Sequence, residues 1–248
     1  MGIDYTKRPA TPAQQSGGAP AASGGAPAAS GGAPAASGGA PVSLSKVTLT
    51  KSAPSVSLTK QGSSTGMLRV NLNWNAKPAG SGGGGLFKRS APTLDLDLGC
   101  LYEFTDGTKG VVQALGNAFA ASPKGVNEPV IRLDGDDRSG TNTEGENLFI
   151  NLAHANQIKR VLVFALIYQG AANWAAADGV VTLFPASGPQ VEVRLDETRD
   201  GARICGIALL ESRNGEISVR REVNYIDGSQ SALDRAYGWG MNWAPGRK

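Results

Sequence analysis

Five carboxylates and one cation are crowded into residues 133–146, LDGDDRSGTNTEGE, where Asp134, Asp136, Asp137, Glu144 and Glu146 surround Arg138. Five acids against one base leave a local charge of −4 inside a chain whose net charge is +3. Carboxylates this close raise one another's pKa, so such a loop is stabilised by a cation held among them. The donors on offer are carboxylate, hydroxyl and backbone carbonyl oxygens in a Gly-containing loop, the hard ligands that Ca²⁺ takes in sets of about six to eight. The spacing is not that of an EF-hand: counted from Asp136, the third position is Arg138 and the twelfth is Asn147. A solvated acidic turn is the competing reading.

A second pair of acids stands in LDLDLGC, at Asp95 and Asp97. Two apart on a strand, they project from the same face, about 7 Å from each other, while their leucine neighbours face the core. A loop 134–146 folded over that face would complete one or two cation sites with them; the alternative is that both simply face solvent. Closely spaced acids also serve two-carboxylate hydrolases, because their pKa values split into a donor and an acceptor. Against an enzyme, the chain has no GxSxG elbow and a single histidine, His154, in NLAHANQIK. His154 reads as a surface or capping residue, and no catalytic residue is assigned.

The elements that must position these acids are mostly strands. Leu68, Val70, Leu72 and Trp74 alternate with polar residues, as do Leu94, Leu96, Leu98 and Cys100, and Val191, Val193 and Leu195. Residues 161–168 (VLVFALIY) and 204–210 are continuous apolar runs, as for strands buried on both faces. Turn signals fall at Asp106-Gly107, Asn214-Gly215 and Asp227-Gly228. Short helical segments are expected at 111–121, 170–177 and 231–237, and the glycine run 79–85 reads as a loop within the domain. The prediction is an all-β fold, an antiparallel two-sheet β-sandwich with a few short helical insertions.

The first 41 residues stand apart. From Gly17 the unit GGAPAAS runs three times through Ser37 and restarts as GGAP at 38–41. A run of Gly, Ala, Pro and Ser has no apolar face to bury, so it reads as a disordered tether with a reach of roughly 30 Å. Its head, MGIDYTKRPATP, fits the N-myristoylation pattern of Gly2 followed by Thr6, or a docking peptide for a partner. Residues 42–248 remain as one domain.

Two cysteines, Cys100 and Cys205, each in an apolar run, exclude a disulfide scaffold and read as buried thiols. With no signal-peptide run and no apolar stretch of membrane length, the cytoplasm is the expected compartment. The positive charge is too diffuse for nucleic acid. The closing YGWGMNW, 237–243, either completes the core or forms an apolar contact patch.

Together, VSLSKVTLTKSAPSVSLTK and LRVNLNWN within 42–75, LDLDLG at 94–99, GDDRSG at 135–140, the following ENLFINL and the segment from ARICGIALL to the final YG resemble the TerD-type domain of bacterial tellurium-resistance and stress-response proteins. VVQALGNAF, LDGDDRSG and GENLFINL are most similar to the TerA branch. The resemblance implies a β-sandwich that binds Ca²⁺ at two neighbouring sites. Position by position it nominates Asp95, Asp97, Asp136, Asp137 and Glu146, supplemented by Glu144 and the carbonyls near Thr141 and Thr143. The sequence departs from the fuller pattern in reading TNTEGE before the final Glu, which puts one of the two sites in doubt. The resemblance also implies partnership with other Ter proteins, including a membrane component, and brings no established reaction.

The leading expectation is therefore a non-enzymatic Ca²⁺-binding module, cytoplasmic or peripheral to the inner face of the membrane, that assembles with other Ter-family stress proteins. One alternative is a thiol enzyme that reduces or captures tellurite through Cys100 and Cys205. Another is Ca²⁺-dependent binding to an anionic membrane, for which Leu133 and Phe149 are the apolar residues nearest the loop.

Overall fold

Strand alternation in the sequence becomes a two-sided burial pattern in the structure, a computed structural model that describes residues 2–4, 46–63, 65–74, 94–134 and 145–245. The strands are β1 (Gly2–Asp4), β2 (Lys46–Thr48), β3 (Ser55–Ser57), β4 (Met67–Asn73), β5 (Asp95–Phe104), β6 (Lys109–Val112), β7 (Ala120–Ala121) and β8 (Ile131–Leu133). They continue with β9 (Glu146–Asn151), β10 (Ile158–Gln169), β11 (Gly179–Phe184), β12 (Gln190–Leu195), β13 (Ile204–Arg213), β14 (Glu216–Ile226) and β15 (Trp243–Pro245). Two helices, α1 (Trp174–Ala177) and α2 (Gln230–Tyr237), interrupt them.

One sheet has six strands in the order β3-β14-β13-β10-β5-β6, all antiparallel. The other has seven, β2-β12-β11-β4-β9-β8-β7, antiparallel except where β2 runs parallel to β12. The sheets pack face to face over Leu68, Val70 and Leu72 of β4, Leu148 and Ile150 of β9, Leu96, Leu98 and Cys100 of β5, and Val161, Val163 and Ala165 of β10. The expected all-β sandwich is therefore present, and the leucines beside Asp95 and Asp97 face its core.

The long apolar runs are explained by a second core on the outer face of the six-stranded sheet. Leu101, Leu162, Phe164, Leu166, Ile204 and Leu209 are covered there by Leu233 of α2 and by Trp239. The C-terminal YGWGMNW thus closes a core, as one of the two readings had it: Trp239 is buried, and Met241 and Trp243 pack against its cluster. Gly99 on this face leaves room for the Phe164 ring, because a Cβ there would lie 2.6 Å from Phe164 Cζ.

Two local expectations are refined by the structure. Within 111–121 the expected short helix or helical turn is a single 3-10 turn, Leu115–Asn117, between β6, which runs to Val112, and β7. Gly116 and Asn117 both take positive φ, +77° and +57°, which an α-helix cannot continue through. The turn signal at Asp227-Gly228 is the link from β14 into α2. Asn214-Gly215 is a hairpin turn: φ is +53° and +80°, both left-handed as a two-residue turn between twisted strands requires. In 170–177 only α1 is helical, started by Asn173, whose Oδ1 accepts the Ala176 amide at 2.9 Å. The tether repeats and the glycine run 79–85 lie outside the described residues.

Candidate metal centre

The acidic loop springs from two neighbouring strands of one sheet. β8 ends at Leu133 and β9 begins at Glu146, and they pair through Leu133 and Leu148. The stem is clasped by Asp134 and Asn147: the Asn147 amide donates to Asp134 Oδ1 at 3.2 Å, Asn147 Nδ2 donates to Asp134 Oδ2 at 2.8 Å, and the Asp134 amide donates to the Asn147 carbonyl at 3.1 Å. Asn147 Oδ1 in turn accepts from Arg69 Nη1 and Asn71 Nδ2. Asp134 therefore ties the two ends of the loop together.

Gly145 then aims β9. Its φ is +67°, and a Cβ at this position would run into the carbonyl oxygen of Leu72 on β4, so no other residue fits without displacing the backbone. From there Glu146 shares the inward face of β9 with Leu148 and Ile150 and points between the sheets. Its Oε2 accepts the Leu98 amide of β5 at 2.6 Å. The partner strand β6 reaches only as far as Cys100, so Glu146 takes over the β5 edge where the ladder stops.

Asp97 is one residue before Leu98, on the opposite face of β5, paired in register with Leu166 at the end of the second core. Asp95 follows two residues earlier on the same face. The expectation that these two acids could simply face solvent is wrong: Asp95 is 6% exposed, Asp97 4% and Glu146 3%. Three of the eight nominated residues are therefore more than nine-tenths buried, Asp95 and Asp97 on the outer face of β5 and Glu146 between the sheets. Burying carboxylates is costly unless hydrogen bonds or cations compensate, and oxygen-rich groups of this kind suit a hard cation such as Ca²⁺. Among the described residues no three His, Cys, Asp or Glu side chains lie close enough together to hold a metal by themselves. Asp136, Asp137, Thr141, Thr143 and Glu144 lie outside the described residues.

The other chemistry-bearing residues are placed elsewhere. Cys100 and Cys205 are fully buried in the inter-sheet core, and burial pushes both thiols far above their ordinary pKa. His154 ends a 3-10 turn, with Nε2 2.8 Å from Glu128 Oε1 and Nδ1 3.2 Å from Gln157 Oε1. Leu133 is buried, and Phe149 is half-buried under the Arg132 guanidinium, 4.3 Å from its ring centroid. Among the described residues Met67 is the one exposed large hydrophobic side chain, and none of their helices is long and apolar enough to cross a membrane.

No family model matches the chain. The tellurium resistance protein TerA of Alcaligenes sp. is 47% identical to it over 209 residues. The chain is similar to TerA over most of its own length. The match covers 84% of this chain but 60% of TerA, so the chain spans about three-fifths of its curated relative's length. The motif resemblance to tellurium-resistance proteins is thereby confirmed. A crystallised protein of unknown function shares the fold, with a TM-score of 0.51 at 17% identity over 75% of this chain and 99% of its own. A Streptomyces coelicolor homologue of the telluride resistance protein TerD gives a TM-score of 0.47 at 20% identity over 68% and 95% of the two chains.

Two features of the site escaped the sequence reading. Gly145 was one glycine among many, and its role depends on the approach of β4, which no local pattern announces. The Leu98 amide became an acceptor's target only because β6 is short.

Proposed function

We propose that this chain is a non-enzymatic Ca²⁺-binding module of tellurium resistance, cytoplasmic or peripheral to the inner face of the membrane, that assembles with other Ter-family proteins. The observation that carries this reading is the burial of Asp95, Asp97 and Glu146, the last of them at the root of an acidic loop whose stem is clasped by Asp134 and Asn147. Asp136, Asp137 and Glu144, with oxygens near Thr141 and Thr143, complete the proposed ligand set from the loop. Bound there, Ca²⁺ would supply positive charge that offsets the mutual repulsion of the carboxylates and fixes the loop's shape. Asp95 and Asp97 hold the β5 side of the site, and Glu146 fixes the distance between the sheets through Leu98. The partner surface in this reading is the ordered loop itself.

If only the folded chain holds the ion, occupancy stabilises it by about 2.7 kcal/mol at a hundredfold excess of free Ca²⁺ over Kd. Calorimetric titration of the full chain with CaCl₂, beside Asp136→Ala, tests the reading. Saturable heat that the variant loses supports it; equal heats, or none, would overturn it.

The thiol-enzyme alternative is disfavoured by two sulfurs sealed in the core with their pKa raised, since the thiolate is the reactive form. Membrane binding through Leu133 and Phe149 is disfavoured because one is buried and the other is covered by Arg132.

A further inference from the structure

The head of the chain, singled out in the sequence as a possible docking peptide, has a seat on the chain's own C-terminal segment. Gly2, Ile3 and Asp4 pair in parallel with Trp243, Ala244 and Pro245 as a separate two-stranded sheet. The receiving strand is held firmly. Asp234 of α2, 3% exposed, accepts the Gly240 amide at 2.8 Å, the Met241 amide at 2.9 Å and Trp243 Nε1 at 2.9 Å. Arg160 lies 3.8 Å over the Trp239 ring and donates to the carbonyls of Tyr237 and Gly238, while Lys109 Nζ donates to the Trp239 carbonyl at 2.6 Å. Gly238 and Gly240 both take positive φ, +61° and +71°, which turns the chain from the end of α2 towards β15. Thus β15 is a rigid edge presented beside α2, and β1 runs against that helix and the 3-10 turn at Leu115–Asn117.

We propose that the edge of Trp243–Pro245 is a strand-docking site for a short N-terminal peptide, and that its occupant is the chain's own Gly2–Asp4. Strand addition of this kind draws its affinity from backbone hydrogen bonds, so three residues bind weakly unless they are tethered. The tether is present: residues 5–45, forty-one of them, connect Asp4 to Lys46 of β2. Because the peptide belongs to the same chain, its docking is intramolecular, which raises its effective concentration above that of a free peptide. Both ends of the GGAPAAS segment are then anchored to the folded domain, and the site is self-occupied unless another peptide competes for it.

The test is the full chain against the double variant Ile3→Pro/Asp4→Pro. Successive residues of a strand direct their amides to opposite sides, so one of the two prolines must remove a donor aimed at β15. Pro245 has no amide, so Ala244 is the residue of β15 whose amide faces β1; its hydrogen exchange is expected to become about tenfold faster in the variant, with Trp243 as the outward-facing control and the melting temperature of the domain unchanged. A synthetic peptide GIDYTK at millimolar concentration should restore protection in the variant and leave the wild type unaffected. Equal exchange in the two chains overturns the proposal. So does a wild-type dimer in sedimentation that the double variant converts to monomer, because the head would then be seated on a second copy.

Discussion

The amide of Leu98 donates to Glu146 Oε2 at 2.6 Å, so a carboxylate from the seven-stranded sheet caps the edge of the six-stranded sheet where β6 ends. Removing the acceptor leaves a buried N–H, whereas Gln keeps a carbonyl oxygen in reach. In chelator, Glu146→Ala is expected to lower stability by about 2–3 kcal/mol and Glu146→Gln by about 1 kcal/mol or less. Denaturant unfolding measures both; equal losses would show that the Leu98 contact is not what Glu146 contributes.

Asp97 provides a test in which the sign reverses with conditions. Its carboxylate is 4% exposed and stands two residues from Asp95 on the same face of β5. Without a cation, neutralising one of two like charges on the same face of β5 relieves repulsion, so Asp97→Asn should melt at or above the wild-type temperature in EGTA. With excess Ca²⁺ the same variant should melt below the wild type, because it has lost a ligand. Differential scanning fluorimetry in the two buffers reads this crossover; curves ranked alike in both would remove the cation from the account.

Gly145→Ala should damage the fold and the site together. The new Cβ meets the Leu72 carbonyl at a residue already at φ +67°, and the two effects together cost about 2–4 kcal/mol. The strain falls between the loop and Glu146. Ca²⁺ affinity should therefore drop along with stability, whereas Gly215→Ala, in a turn where a Cβ meets nothing within 4 Å, should lose only the cost of its positive φ.

The strands that position the site could be read from residues alone because each face has one environment: Leu68, Val70 and Leu72 alternate with polar neighbours since only one side of β4 meets the core. Asp95 and Asp97 defeated the same logic. Alternation places them correctly on the outer face of β5, but the second core on that face is completed by β10, β13, α2 and Trp239, all more than sixty positions away in sequence. The helical segment expected within 111–121 is held to one 3-10 turn, because Gly116 and Asn117 adopt left-handed conformations and Gln113 bridges to Ala118 across it.

Both thiols should be chemically silent in the native state. Cys100 and Cys205 are fully buried, and desolvation keeps them protonated throughout the physiological range. A thiol reagent at pH 8 should label neither until the protein unfolds, and Cys100→Ser/Cys205→Ser should leave any tellurite-dependent activity unchanged while costing about 1–3 kcal/mol per buried hydroxyl. Rapid labelling of the native chain would reopen the thiol chemistry.

Acid should loosen the C-terminal cover through Glu103. Burial alone would raise this carboxyl, but hydrogen bonds from Lys159 Nζ and Arg160 Nε, both 2.7 Å, outweigh it and hold the pKa below the ordinary value of 4.5. A carboxylate depressed in the folded state contributes stability that is fully present above its unfolded pKa and is lost as pH falls through the folded value. Glu103 also orients Arg160, whose guanidinium stacks on Trp239 and bonds the carbonyls at the end of α2. Wild type should therefore be more stable than Glu103→Gln from pH 7 down to about pH 4.5, with the gap closing below that. Tryptophan fluorescence should follow the same course, because Trp239 and Trp243 lie under the cover that Arg160 holds. A gap that stays constant to pH 3 would mean that the ion pair contributes nothing to holding the cover in place.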